Sequence, residues 1–239
     1  MWPVWRHTGD EHEAWSERQV ASEQHLILAS GSPRRQELMR LLEIPFEVRV
    51  PEVDEVIKPG EIPAEAPQRI SRIKAEWVAR ELGKGIVVAA DTVVVHKGDI
   101  LGKPCDAEDA AAMLRRLRSE RHLVLSGVTV MNGATGKQIT ELCESKVWLR
   151  PMDDAEIEAY VASGDPLDKA AAYAIQNNDF APVAQVVGCP ANVMGLPMCH
   201  VVRNLRRMGV TLPATLPTQC EIRYGYLCAL TLYVMPGVS

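Results

Sequence analysis

The chain has 239 residues, of which 47% are hydrophobic and 24% are charged, and its formal net charge at pH 7 is -5. This length and hydrophobic content allow one large domain with a complete core, whereas the acidic balance argues against nucleic-acid binding, which usually needs a basic surface. The sequence contains no signal-peptide pattern and no apolar run long enough to span a bilayer. We therefore expect a cytoplasmic protein with a small-molecule substrate, no nucleic acid and no membrane.

Composition and periodicity divide the chain into three segments. Residues 1–24 form a polar extension with neither helical nor strand periodicity. Residues 25–211 alternate strand and helix patterns and are predicted to be the folded domain. Residues 212–239 form a C-terminal tail that no pattern places.

The first half of the domain predicts strands and helices in alternation. HLILA is a strand, the helix after it begins at Pro33, and FEVRV is a short strand. An acidic, proline-rich loop then leads into a long helix over about residues 64–82, with Ile70, Ile73 and Trp77 on its apolar stripe. GIVVAADTVVV predicts a buried strand, and HKGD predicts a hairpin turn after it.

The second half predicts two capped helices, a hairpin between them and a last helix. The capped helices are DAEDAAAMLRRLRSE and DDAEIEAYVASG, the hairpin joins HLVLSGVTVM to QITELCESKVWL, and the last helix is LPMCHVVRNLRRMG. Because strands and helices alternate without repeats, the predicted fold class is α/β with a mixed sheet.

Two arginines stand at the start of the first predicted helix. Ser32 is the expected N-cap and Pro33 the first helical residue, so Arg34 and Arg35 lie at the positive end of the helix dipole. An anion such as a phosphate would compensate for them, because helix N-termini and arginine side chains both bind phosphate oxygens. The alternative is a pair of solvated surface arginines.

Asp91 and Thr92 interrupt an otherwise apolar strand. A buried aspartate needs partners or must leave the buried face. We expect a strand end or a bulge here, so that both side chains reach one cleft at the edge of the sheet. The alternative is a structural aspartate that ends the strand through an Asx turn.

Other polar residues complete a possible phosphoryl-transfer site. Glu52, Asp54 and Glu55 lie on the acidic loop and offer oxygen ligands for Mg²⁺ or Mn²⁺, although such loops are usually only solvated. Lys74 and Lys103 lie near apolar segments. Each could bind phosphate, or could be a surface lysine whose aliphatic part covers apolar residues. Together with the arginines and Asp91 they form the parts of a metal-assisted phosphoryl site.

The ordered motifs LASGSPRRQELM, EVDE, RIKA, VVAADTVVV, LGKPCDAEDAAAML, SGVTV, EIEAYVASGDPLDKAAAYAIQ and NVMGLPM resemble the Maf family of nucleoside triphosphate pyrophosphatases. The resemblance runs from about Leu26 to Val210. It implies an elongated mixed sheet with helices, as in Maf and inosine-triphosphatase proteins, with two lobes around a central cleft. It also implies a homodimer and the hydrolysis of a nucleoside triphosphate to monophosphate and pyrophosphate with a divalent metal, Mg²⁺ or Mn²⁺.

The resemblance also implies a role for each matching residue. Asp91 is the proton acceptor that activates water, and Glu55 is its partner acid and, with Asp91, a metal ligand. The matching basic residues and loop serines, which would hold the triphosphate, are Arg34, Arg35, Lys74, Lys103, Ser30 and Ser32. Residues typical of the dTTP/UTP branch are Arg34, Thr92 and Gln176, and the Gln176 amide could read a base edge.

Departures from the family pattern bear mainly on substrate preference. Ala171 and Ala174 replace family glycines and would narrow the cleft, and Cys189 and Pro190 replace a serine and a tyrosine near the expected nucleotide side. The expected substrates are dTTP, UTP and modified pyrimidine triphosphates, and the alternative is a pyrophosphatase for 7-methyl-GTP or another modified nucleotide. A second alternative, a role also attached to this family, is a nucleotide-binding regulator of cell division and septum formation.

The C-terminal cysteines raise a separate question. Cys189, Cys199, Cys220 and Cys228, with His200, could hold zinc or an iron–sulfur cluster, but they lack the close pairs of a typical site. Without a secretory signal a disulfide framework is not expected. Ordinary buried thiols are the favoured interpretation.

Overall fold

The computed structural model describes residues 25–212. The predicted extension 1–24 and all but the first residue of the predicted tail lie outside the described residues, and the three-segment division stays a prediction. The strands are β1 (Leu26–Leu28), β2 (Phe46–Val48), β3 (Ile86–His96), β4 (Asp99–Leu101), β5 (Arg121–Asn132), β6 (Gln138–Leu149) and β7 (Val183–Val187). The helices are α1 (Pro33–Arg40), α2 (Ala66–Leu82), α3 (Ala107–Leu117), α4 (Asp154–Ala162), α5 (Pro190–Val193) and α6 (Met198–Arg207), with 3₁₀ turns at Asp165–Asp168 and Ala170–Ala172.

The seven described strands form one mixed sheet, which confirms the predicted α/β class. Its order is β2-β1-β3-β5-β6-β7, with β4 also paired to β3. β1 is parallel to β2 and to β3, and the other pairs are antiparallel. The predicted hairpin of β5 and β6 is therefore confirmed.

One edge of β3 is paired along almost its whole length, and the other edge is open only in its middle. β5 pairs with β3 from Ile86 to Val95 in an unbroken register. The opposite edge is shared, because β1 pairs with Ile86–Val88 and β4 pairs with Val94–His96. Within the described chain, no strand pairs with residues 89–93 on this edge. The result is a gap in the sheet between β1 and β4.

Alternate residues of β3 pack against different helices. Val88 and Ala90 belong to a core cluster with residues of α1 and α6. Val87 and Ala89 belong to a cluster with Ala75, Val78 and Ala79 of α2 on the other face of the sheet. Two further core clusters include Val93, Val94 and Val95 of β3, beyond the gap. Core packing therefore lies on both sides of the gap, as the expected two-lobed arrangement requires.

Several helices begin and end where the sequence predicts, through side-chain caps or a left-handed glycine. Asp106 accepts a hydrogen bond from Asp109 N at the start of α3, and Asp153 and Glu156 form a capping box on α4. Gly83 ends α2 in the left-handed conformation at φ 62°. The N-cap position of α1 is Ser32, as predicted, although its side chain makes no capping bond.

The buried face of α2 differs from the predicted stripe. Ile70 is buried, but Ile73 and Trp77 are only half-buried. Ser71 and Lys74 are buried instead, because their side chains reach Thr129 and Asp91 on the sheet. The helix thus presents a partly polar face to the sheet, and this face positions Lys74 at the gap. Among the described residues, no helix combines the length and apolarity needed to cross a membrane.

Candidate active site

A cavity of about 610 Å³ lies at the gap between β1 and β4. Its wall comes from the loop before α1 and the start of α1, the loop before α2 and α2 itself, and the middle of β3. Residues 100–103 at β4, Val124 of β5, the segment after α4 and residues 193–195 complete it. All ten predicted site residues line it: Ser30, Ser32, Arg34, Arg35, Glu55, Lys74, Asp91, Thr92, Lys103 and Gln176. Residues that are far apart in sequence therefore converge at one place.

The predicted strand end or bulge at Asp91 is wrong. β3 continues through this point, with Asp91 opposite Gly127 and Thr92 opposite Ser126. Asp91 consequently faces α2, and Thr92 faces α1 and the loop at Gly195. Both side chains still line the same cavity, because the neighbouring edge of β3 is open and the wall includes residues from both faces of the sheet.

Lys74 joins the two carboxylates of the site. Its Nζ lies 2.9 Å from Asp91 Oδ1 and 2.7 Å from Glu55 Oε2. The Lys74 side chain is 5% exposed and that of Asp91 is 12% exposed, whereas that of Glu55 is 54% exposed. Because buried charges need partners, the lysine and Asp91 stabilise each other in the wall of the cavity.

The acidic loop contributes one carboxylate to the cavity. Glu55 lines it, whereas Glu52 and Asp54 do not. Asp54 Oδ1 instead accepts a hydrogen bond from Val56 N at 2.9 Å, which shapes the loop. Among residues 25–212, no group of three or more His, Cys, Asp or Glu side chains is arranged to hold a metal ion.

Arg34 and Arg35 diverge, although they are adjacent. Arg35 donates from Nε to Gly195 O at 2.8 Å and from its terminal nitrogens to Ser30 Oγ and Thr92 Oγ1. Burial lowers the pKa of Arg35, an effect that Asp91 and Glu55 oppose. Arg34 also lines the cavity, and its Nη1 lies 3.9 Å from Asp168 Oδ2. Arg35 thus fixes the loops, and Arg34 remains accessible to a ligand.

We expect separate alanine substitutions to distinguish the two arginines. Arg35→Ala should lower the free energy of unfolding by about 1–3 kcal/mol, because it removes three hydrogen bonds that join Ser30, Thr92 and Gly195. Arg34→Ala should change stability by less than about 0.5 kcal/mol but weaken nucleotide binding. Urea unfolding and nucleotide titration measure the two effects, and Arg40→Ala, at the exposed end of α1, is the control. Equal stability losses in Arg34→Ala and Arg35→Ala would contradict this division of roles.

The segment after α4 contains a charged network that the sequence analysis missed. Lys169 lines the cavity with 8% exposure, and its Nζ lies 3.0 Å from Asp165 Oδ1 and 2.6 Å from Asp168 Oδ1. Asp165 also accepts from Tyr160 Oη at 2.6 Å and from Asn177 Nδ2 at 3.0 Å. The only available sequence signal was the dense charge of DPLDK between apolar residues. These contacts stabilise the segment after α4, which contains no strand before β7 and which carries Gln176.

The two alanines that replace family glycines lie in different environments. Ala174 lines the cavity, as expected for a residue that narrows the cleft. Ala171 does not line it, and its N–H instead donates to Gly102 O at 2.9 Å. Ala171 has φ 60°, a left-handed conformation that costs a non-glycine residue about 1 kcal/mol. The effect of Ala171 is therefore backbone strain beside the Lys103 loop, not a narrower cleft.

Cys189 and Pro190 do not line the cavity, and their predicted place near the nucleotide side stays a prediction. Both are buried, and Cys189 packs in the core cluster that includes α1 and α6. The residues that follow in sequence, Val193, Met194 and Gly195, do line the cavity. Cys199 is also buried in this core cluster, while Cys220 and Cys228 lie outside the described residues.

His122 is a buried titratable group behind the cavity wall. Its Nε2 lies 2.7 Å from the hydroxyl oxygen of Tyr173, a wall residue, and the His122 residue is 1% exposed. Burial lowers the pKa of His122 to about 4 from its ordinary value of 6.5, and His96 adds a smaller repulsion. The folded state therefore favours a neutral His122.

We expect this histidine to make stability depend on pH between 6.5 and 4. The unfolded state binds a proton below pH 6.5, and the folded state resists it down to about pH 4, so stability is lost as the pH falls. The full loss is about 3 kcal/mol at 1.36 kcal/mol per pKa unit. Urea unfolding at several pH values should show a smaller pH dependence in His122→Gln than in the wild type. An identical dependence in both proteins would contradict the assignment.

Comparison with known proteins agrees with this geometry. An α/β sheet that brings three carboxylates and several cations to one cavity is suited to binding polyphosphates together with a metal. A family model described as "Maf-like protein" matches residues 25–208, and the chain belongs to this family.

Three proteins that are similar in sequence to this chain have the same name. A protein of Salinibacter ruber is 46% identical over 183 residues, covering 76% of this chain and 89% of the relative. Proteins of Geotalea uraniireducens and Anaeromyxobacter dehalogenans are 44% and 46% identical over 190 residues, covering 80% and 79% of this chain and 98% and 96% of the relatives. All three are named dTTP/UTP pyrophosphatase.

Proposed function

We propose that this protein hydrolyses dTTP and UTP to the monophosphate and pyrophosphate. The observation that carries the proposal is the Asp91–Lys74–Glu55 cluster in the wall of a cavity that four further basic residues also line. The names of the similar proteins support the same reaction. In this proposal the Asp91 carboxylate accepts a proton from a water molecule that attacks the α-phosphorus.

The cations are arranged to bind a chain of phosphates. Arg34, Lys74 and Lys103 line the cavity from three different elements, and Arg35 holds the Ser30 loop at the start of α1. Backbone N–H groups at the start of this helix add to the positive potential. The triphosphate would therefore lie between α1 and Lys103, with its α-phosphate near Asp91.

A divalent metal fits the oxygen donors of Glu55 and Asp91. Mg²⁺ is commonly bound by one or two carboxylates together with substrate phosphates, and these two carboxylates already converge on one ammonium. When bound, the metal would neutralise charge that develops on the phosphates. Since the described residues offer no larger ligand group, phosphate oxygens would supply much of its coordination.

The base would be read at the part of the cavity near Gln176 and Ala174. The Gln176 amide offers one acceptor and two donors, which complement the alternating groups of a pyrimidine edge. Ala174 limits the space beside it, which favours a small base. Dimer formation and a cytoplasmic location stay predictions from the sequence and its family resemblance.

A panel of nucleoside triphosphates with pyrophosphate detection tests the proposal. We expect release from dTTP and UTP with Mg²⁺ or Mn²⁺, much less from ATP, GTP and 7-methyl-GTP, and none with chelator. Preferred hydrolysis of a methylated purine nucleotide would overturn the base preference. Binding without pyrophosphate release under all conditions would support a nucleotide-binding regulator instead.

A further inference from the structure

Lys74 lies where a metal ion would have to lie. A metal held by both Glu55 and Asp91 must approach the same oxygens that now contact Nζ at 2.7 and 2.9 Å. The Lys74 side chain is only 5% exposed and comes from the middle of α2, so it is not a chance surface contact. The ammonium is therefore an internal cation that competes for this position.

We propose that Lys74 occupies the cation position between Glu55 and Asp91 in the nucleotide-free protein, so that a divalent metal enters only together with the triphosphate. This inference rests on the proposed pyrophosphatase function, but it concerns the order of binding and not the reaction. It assigns Lys74 a role as a gate for the metal in addition to its place among the phosphate-binding cations.

Charge and ligand number both disfavour binding of the metal alone. A divalent ion near the Lys74 ammonium experiences direct repulsion, which is strong in a partly buried site. Residues 25–212 contain no group of three or more His, Cys, Asp or Glu side chains that could hold a metal, so the charged ligands from the protein would be Glu55 and Asp91. Mg²⁺ and Mn²⁺ prefer six oxygen ligands. A metal without nucleotide would thus gain two protein ligands, keep most of its water ligands and be held weakly.

A triphosphate removes both obstacles. An ammonium has three N–H donors, of which Lys74 donates one to Asp91 Oδ1, while Glu55 forms an ion pair with the same Nζ. Since Lys74 lines the cavity, a phosphate oxygen can accept a further N–H and draw the flexible lysine side chain toward the nucleotide. The carboxylate oxygens are then released, and the phosphates add their own oxygens to the metal.

Binding of Mn²⁺, measured by the relaxation rate of water protons, tests the gate without any turnover. This rate rises when Mn²⁺ joins a slowly tumbling protein, so it separates protein-bound ion from free ion and from ion on free nucleotide. In the absence of nucleotide, we expect Lys74→Gln to bind Mn²⁺ at least tenfold more tightly than the wild type, because a unit positive charge beside the ion is removed. Lys84→Gln, which removes an exposed lysine between α2 and β3, is the control and should bind as the wild type does.

A second comparison uses the wild type alone and does not depend on the folding of any variant. The α,β-methylene analogue of dTTP should increase the Mn²⁺ affinity of the wild-type protein at least tenfold. Equal affinity with and without the analogue would overturn the proposal, as would equal affinity of a folded Lys74→Gln variant and the wild type. Pyrophosphate release from dTTP is measured separately, so a protein that hydrolyses dTTP but binds Mn²⁺ alone tightly refutes the gate and not the function.

Discussion

Asp91→Asn is expected to lower the rate of pyrophosphate release from dTTP by about 10³-fold, within the usual range for loss of a general base. The amide oxygen can still accept the hydrogen bond from Lys74 Nζ, so the local structure is retained. An amide cannot, however, accept a proton from water at neutral pH. Removing a negative charge from the cavity also leaves the binding of an anionic nucleotide at least as strong.

The experiment compares kcat with the dissociation constant of dTTP. We expect a large loss in kcat and little change in affinity for Asp91→Asn. Asp54→Asn is a matched control, since Asp54 lies on the acidic loop but outside the cavity. A kcat for Asp91→Asn within tenfold of the wild-type value would show that another group activates the water.

Gly127→Ala is expected to lower the free energy of unfolding by about 3 kcal/mol or more, the upper range for overpacking in a core. Gly127 of β5 lies beneath the first turn of α2. A Cβ atom there would lie 2.2 Å from Pro67 O, 2.3 Å from Pro67 C and 2.4 Å from Gln68 N. All three are backbone atoms, so no side chain can rotate away, and the helix itself must move.

The consequence should extend to the site, because α2 carries Lys74. Urea unfolding followed by circular dichroism measures stability, and pyrophosphate release measures the displacement of Lys74. Gly102→Ala is the control for stability, since a Cβ at Gly102 meets nothing within 4 Å. If Gly127→Ala unfolded at the same urea concentration as the wild type, the close approach of α2 to β5 would be incorrect.

The sequence predicted the elements and site residues that follow local rules. Caps at Asp106, Asp153 and Gly83 are local hydrogen bonds or backbone conformations, so residue type indicates them directly. The site residues could be named because charged groups beside apolar segments are unusual, and because the ordered motifs resemble a family. The cavity then brings these residues together.

The predictions that failed depend on tertiary contacts. Asp91 looked like the end of a strand, but the register with β5 on one side keeps β3 extended through it. Lys74 could not be oriented from helical periodicity, since its burial depends on the two carboxylates. β7 was missed because it is a short edge strand of partly exposed residues that exists through pairing with β6.

The pairing of β3 with β5 also determines which half of the site can adjust. Asp91 sits in the middle of an eleven-residue strand that is locked along its length to β5, so hydrogen exchange of this strand should approach the rate set by global unfolding. Glu55 belongs to residues 49–65, which form no helix or strand and are exposed at Val50 and Val56. The site thus pairs a preorganised half with an adaptable one, so we expect accommodation of different nucleotides to fall to the loop while the geometry at Asp91 stays constant.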